Sequence, residues 1–193
     1  MKTAIVSVEG VSALQFGAYH AIPKLDRETS DDYEQRTWQK KTHVDHEGNV
    51  VLPPMALKNA IYSTAKFLSI PVPGKGKALY TKNFLSGIMC VEPAVISRDG
   101  KALTIDDCEK VGVFGNSKGQ RGMDGPRVMK YFPTIQPVWE TVLEYIVLDD
   151  AITVPIFERV ITEVGKINGF GVFRPQSGGY YGRFIIKNIE WKD

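Results

Sequence analysis

Apolar and polar residues alternate from the start of the chain. In "TAIVSVEG", residues 3–10, Ala4, Val6 and Val8 fall on one side and Thr3, Ser7 and Glu9 on the other, which predicts a half-buried strand. A polar stretch over residues 26–49 has few aliphatic side chains and reads as an inserted loop or small subdomain. The period then changes. Pro53 and Pro54 suit a helix start, and Leu57, Ile61, Ala65 and Leu68 recur at helical spacing over 55–69. Lys58, Tyr62 and Lys66 fall four apart on another face, and "IPVPGKGK" breaks the helix. "SGIMCVEPAVI" predicts a second strand, with Pro93 marking an edge or a bulge. "TVLEYIVLDD" predicts a third, with Leu143, Tyr145 and Val147 on one face. "TVPIFERVITEVGKI" predicts a second helix, capped by Thr153, with Pro155 in its first turn and Ile156, Val160 and Val164 as its stripe. "GRFIIKNIEW" predicts the last strand.

The order β-α-β-β-α-β is that of the α+β ferredoxin-like split βαβ arrangement, shared with the RNA-recognition motif: an antiparallel sheet with two helices on one face. Residues 1–193 are expected to form a single domain, with insertions at 26–49 and 112–133. The second insertion, rich in glycine, carries Lys118, Arg121, Arg127 and Lys130 against the single acid Asp124. It resembles a mobile arm that a polyanion would order, and equally a surface loop. Tyr131 and Phe132 anchor its return.

Composition adds limits. A chain that is 43% hydrophobic and 24% charged is ordinary for a globular protein. No run approaches ~18 apolar residues, so no membrane partner is expected. The N-terminus lacks the apolar core of a secretory signal. Cys90 and Cys108 show no motif spacing, so the expected compartment is the cytoplasm. Net charge is only +2, but its distribution is uneven. No acid lies between Glu47 and Glu92, a stretch that holds Lys58, Lys66, Lys75, Lys77 and Lys82. None lies between Glu163 and Glu190, where Lys166, Arg174, Arg183 and Lys187 lie. Such segregation can build one positive face on a nearly neutral protein.

The densest candidate chemistry is "NGFGVFRPQSGGYYGRF", residues 168–184. Gly169, Gly171, Gly178, Gly179 and Gly182 can leave backbone amides accessible as an anion-binding concavity. Arg174 and Arg183 would add charge-assisted bonds to phosphate, and Tyr180 and Tyr181 would stack on unpaired bases. The same residues fit a glycine turn whose aromatic side chains pack in the core. "NGFGVF" is similar to the aromatic RNP1 strand of the RNA-recognition motif, but RNP1 belongs on the third strand and this segment follows the second helix. The phosphate reading requires Arg174 and Arg183 on the surface, on the same side as Lys58.

Three features in order carry a wider resemblance. "GFGVFRPQSGGYYGRF" stands where the RAMP superfamily of CRISPR-associated proteins has a glycine-rich loop, between second helix and last strand. "VVLPPMALKNA" resembles its proline-led helix through Pro54, Leu57, Lys58 and Ala60, with Asn59 where many members have glycine. "VSVEGVSALQFG" resembles its first strand running into a leucine and a glycine. The chain looks most like the backbone subunit of Cascade-type effector complexes, although shorter than many. The resemblance implies a non-enzymatic protein that coats single-stranded guide RNA in several copies, beside other CRISPR-complex subunits and without a cofactor. DNA is not separated from RNA by these residues.

Two other readings stand beside it. Some members of that superfamily are metal-independent endoribonucleases with a histidine acid or base, for which His20 is the candidate. Asp31 and Asp32 resemble a loop aspartate with which certain backbone subunits cleave RNA, and equally a solvated turn. The third reading is a structural or interaction protein, of phage origin for instance, that keeps the fold without RNA. His43 and His46 form H-x-x-H without a companion Cys-x-x-Cys, so no metal is expected. "GKGK" at 74–77 lacks the spacing of a P-loop.

Overall fold

A computed structural model describes residues 1–116 and 127–192. The elements, in chain order, are β1 (Lys2–Gly10), β2 (Leu14–Gln15), α1 (Ser30–Thr37), β3 (Val51–Leu52), α2 (Pro54–Leu68), α3 (Thr81–Ser86), β4 (Ile88–Met89) and β5 (Ala94–Arg98). Then follow β6 (Lys101–Ala102), β7 (Glu109–Asn116), β8 (Arg127–Ile135), β9 (Glu140–Val147), α4 (Val154–Glu163) and β10 (Phe184–Lys192).

The alternation in β1 buries Ala4, Val6 and Val8, and that in β9 buries Leu143, Tyr145 and Val147. The two strands pair antiparallel, Val6 opposite Leu143 and Ala4 opposite Tyr145. The main sheet runs β10-β1-β9-β5-β3, with β4 also on β9 and β6 on β5. Its pairings are antiparallel. With the last strand beside the first, and the third between first and second, this is the ferredoxin-like α+β fold. The second predicted strand is divided: Cys90–Pro93 separates β4 from β5, and Pro93 itself falls in the gap.

α2 and α4 pack side by side on the apolar face. Leu57 and Ile61 of α2 and Phe157, Val160 and Ile161 of α4 are fully buried in one core with Ala4, Val6 and Leu143. Each such side chain contributes about 1.5–3 kcal/mol by leaving water. Pro54 opens α2 at its first position, where its missing N–H costs no bond, and Ser69 closes it in the left-handed region. Thr153 does occupy the N-cap of α4, but its side chain makes no cap hydrogen bond. A π-helical turn, Val164–Asn168, continues α4 and delivers the chain to the glycine-rich segment. Asn168 Nδ2 donates to Ala60 O at 3.1 Å, tying that turn to α2.

The other face of the sheet is open. It carries Glu9, Glu140, Glu144 and Glu190 among Ile5, Val142, Ile146 and Ile185, as the register of β1 with β9 and β10 requires. Lys187 falls at a register shift between β1 and β10, and its Nζ donates to Glu9 Oε2 at 2.8 Å. Acids outnumber bases on this face, where Lys187 is spent on Glu9 and Lys192 stands opposite Thr3.

A second sheet orders β2-β8-β7. Residues 112–116 and 127–133, expected to be loop, are instead strands of a long hairpin whose register runs from Glu109 opposite Thr134 to Asn116 opposite Arg127. Gly112 reads as loop in the sequence but here makes room, because a Cβ on it would meet Met129 Sδ at 2.9 Å and Tyr131 Cε1 at 3.1 Å. The polar stretch 26–49 contains α1, capped by Thr29, whose Oγ1 accepts from Asp32 N at 3.1 Å. α1 docks on the hairpin through a compact ionic joint. Lys41 is 8% exposed, pairs with Glu34, and donates to Tyr131 O at 2.8 Å. Its ammonium lies 4.6 Å from the centre of the Phe132 ring.

Candidate nucleic-acid interface

The glycine-rich segment leaves the π-helical turn, crosses β2 and returns to β10. Its amides are largely used within the fold. Phe170 N–H donates to Gly182 O at 3.0 Å, Val172 N–H to Gln15 O at 2.9 Å and Gly182 N–H to Ala13 O at 2.7 Å. Ser177, Gly178 and Gly179 donate to carbonyls of Arg174 and Pro175, and Tyr181 to Phe173 O at 3.2 Å. Gly171, Gly179 and Gly182 therefore serve close backbone approach rather than an open row of amides. Gly182, at φ 72°, is the clearest case, since a Cβ there would run into Phe170 O. Phe170 and Phe184 stack in the core with ring centres 4.9 Å apart, which fulfils the core-packing reading for two of the aromatic side chains.

What the loop presents outward is side chains. Tyr180 is 78% exposed and Arg183 is exposed, while Tyr181 is half-buried. Arg174 is half-buried and held: Nη1 donates to Gly171 O at 2.9 Å, and Nε and Nη2 donate to Gln176 Oε1 at 3.2 and 3.0 Å. A guanidinium has five N–H groups, so one remains on each terminal nitrogen for a further acceptor. This side chain lines a groove whose opposite wall is Met55, Ala56 and Asn59 of α2. A bidentate acceptor such as a phosphate suits those two remaining donors.

The predicted site residues separate into several places. Arg174, Tyr180, Tyr181 and Arg183 share the loop. Asn59, not Lys58, lines the groove with Arg174, so the expected pairing of Arg174 with Lys58 on one side is not found there. Lys58 is half-buried and lies toward Cys90, whose thiol burial pushes up to about 12 against the pull of that lysine. Lys66 stands two turns further along α2, about 12 Å from Lys58 at 1.5 Å per residue, in a hollow with Lys75, Lys77 and Lys82. Arg127 and Lys130 stand on β8, with Lys130 opposite Val113. Lys118 and Arg121 lie outside the described residues. Phe173 joins loop to hairpin, its ring 5.4 Å from that of Phe132 in an edge contact. Sequence reasoning missed Met55 and Asn59, which line the Arg174 groove, and Phe67, which lines a neighbouring hollow; an aromatic residue off the apolar stripe of α2 was the signal for Phe67.

The residues of the other readings are also placed. His20 sits 6.0 Å from the Tyr33 ring, and burial, then the charges of Lys41 and Arg36, lower its pKa below 6.5. The imidazole is thus neutral at neutral pH. Its cationic neighbours are engaged: Lys41 with Glu34, and Arg36 with Glu28 at 2.7 Å. Asp31 and Asp32 lie in the first turn of α1, where carboxylates complement the helix dipole, and Asp32 Oδ2 accepts from Thr29 Oγ1 at 2.6 Å. His43 is half-buried, and the exposed His46 lies 3.9 Å from Glu47. Among the described residues no helix is long and apolar enough to cross a membrane.

No family model matches the chain, and no curated protein matches it. Among solved structures, the chain is similar to one in the cryo-EM structure of the Type III-B Cmr-beta bound to cognate target RNA, with a TM-score of 0.59 and 14% sequence identity. The match covers 98% of this chain and 60% of that one, so the chain spans about three fifths of that neighbour's length. At this identity the likeness is one of fold, and it reaches over nearly the whole chain.

Proposed function

We propose that this protein is a non-enzymatic single-stranded RNA-binding protein, a subunit of a CRISPR-type effector complex that lines guide RNA in several copies beside other subunits. The observation that carries the reading is Arg174. Its guanidinium is fixed by Gly171 and Gln176, keeps two donors, and lines a groove between the glycine-rich loop and α2. Exposed Tyr180 and Arg183 on the same loop supply a stacking ring and a second cation. The fold shared with a chain of an RNA-bound complex supports the same reading. Lys41 and Arg36, the two cations that act on His20, are both tied to carboxylates, which favours binding over cleavage.

Filter binding of labelled single-stranded RNA at two salt concentrations tests this. The wild type should bind, more tightly at low salt. Arg174→Gln should weaken binding at least about tenfold, the scale of one charge-assisted bond. Arg174→Lys should recover only part of it, because an ammonium lacks the fork. RNA should remain intact with the wild type and with His20→Ala alike. Absence of binding at low salt, or cleavage that His20→Ala abolishes, overturns the proposal.

A further inference from the structure

The segment between α2 and α3 is built rather than slack. Val72 N–H donates to Ala78 O at 2.8 Å and Tyr80 N–H to Ile70 O at 3.0 Å, while Ile70, Val72 and Tyr80 are buried. Lys75 N–H donates to Val72 O at 3.2 Å and Ala78 N–H to Lys75 O at 3.1 Å, closing two turns at the tip. Gly74 and Gly76, at φ 71° and 58°, make the left-handed corners. Lys75 and Lys77 therefore leave from backbone that is already fixed. With Lys66 of α2 and Lys82 of α3 they line one hollow of about 750 Å³.

Four ammonium groups around one hollow repel each other. Among the described residues, none of the four is paired with a carboxylate. Asp149, an acid near enough to feel Lys75, already accepts from Asn83 Nδ2 at 2.8 Å and Ala151 N at 2.9 Å. The C-terminal carbonyls of α2 account for Lys66 alone. Among the described residues, the other three are in no ion pair that would explain their convergence. Lysines are point charges that accept phosphates in many orientations, and the lining of the hollow holds no aromatic ring to grip a base. The chemistry fits a run of phosphates rather than one oriented small molecule.

Resting on the reading of the Arg174 groove, we infer that this hollow receives the phosphodiester backbone of the same strand, which runs the length of α2 from one end to the other. The helix spans about 22 Å at 1.5 Å per residue. Between the two sites a further hollow is lined by Ser63, Thr64 and Phe67 of α2 with Pro175 and Gln176 of the loop. Phe67, 75% exposed, stands in the last turn of α2 beside Lys66, a ring on which a base can stack next to the lysine hollow.

The test is fluorescence anisotropy of a labelled U-rich single-stranded RNA across a salt series, on the wild type, Arg174→Gln and the pair Lys75→Gln/Lys77→Gln. Both lysines are exposed, so thermal melting should show the pair folded. The expected result is weaker binding by the pair and a log–log salt slope shallower by about 1.4, two phosphate contacts at ~0.7 each. A wild type that binds, with the lysine pair unchanged in affinity and slope, overturns this inference alone. A wild type that binds no RNA overturns the underlying reading and this inference with it. Calorimetric titration with inorganic triphosphate separates the remaining source of the same chemistry. Triphosphate binding that the lysine pair loses, with its RNA slope unchanged, identifies a small-polyanion pocket and also overturns the inference.

Discussion

Gly182 shows how one residue can serve geometry and look like chemistry. Its φ of 72° and its approach to Phe170 O leave no room for a side chain. Gly178, at φ 82°, has open space around it instead. Gly178→Ala should therefore cost only the left-handed backbone, about 1–2 kcal/mol. Gly182→Ala adds a collision with a carbonyl and should cost more, at least about 3 kcal/mol. Urea denaturation reads the difference as a larger fall in midpoint at unchanged slope; equal losses would show that the loop yields. Both glycines were visible in the sequence as one cluster. What was not visible is that the Gly182 amide is taken by Ala13 O and the space beside Gly171 by Gln15 O, over 150 positions away, since no local pattern encodes so distant a partner. The same holds for Arg174: its type was legible, but its fixing by Gly171 and Gln176 depended on the turn they share.

At the scale of elements, the strands and helices with a long, regular period were found, although the third strand was expected over 141–150 and spans 140–147, and the second helix was expected over 153–167 and spans 154–163 before its π-helical turn. α2 was expected over 55–69 and spans 54–68; β1 and β9 alternate as anticipated. α1 was lost in the polar stretch because it has no apolar stripe, with Thr37 its only buried residue. It holds its place through charges on another element, which the sequence does not reveal. The β7–β8 hairpin was lost because its glycines and basic residues resemble a loop, although its strands carry a full ladder. The joint between α1 and this hairpin makes a testable case. Lys41→Met leaves Glu34 enclosed without its cation and should destabilise the protein by about 2–3 kcal/mol. Lys41→Met/Glu34→Gln should recover part of that loss, measured by thermal melting. A double variant no better than the single would mean that the Tyr131 carbonyl and the Phe132 ring, not the ion pair, carry the joint.

Among the described residues, acids outnumber bases on the open sheet face, where Lys187 and Lys192 also lie. The open sheet face carries Glu9, Glu140, Glu144 and Glu190, while Lys66, Lys75, Lys77 and Arg174 lie beyond the helices that cover the opposite face. The acid-free stretches were legible as runs along the chain, and only the fold shows that some of their lysines share one hollow. A net charge of +2 conceals this separation. For the RNA-binding role proposed above, the expected consequence is a field that differs between the two sides of the sheet. A polyanion approaching from the acid side feels repulsion and a turning force, so the protein presents its helical side before contact. Orientation is then partly settled during diffusion, and the gain appears in the association rate. Stopped-flow measurements of RNA association should show a rate constant falling steeply as ionic strength rises, with dissociation changing far less. An association rate indifferent to salt would mean that the two charged sides play no part in how the strand arrives.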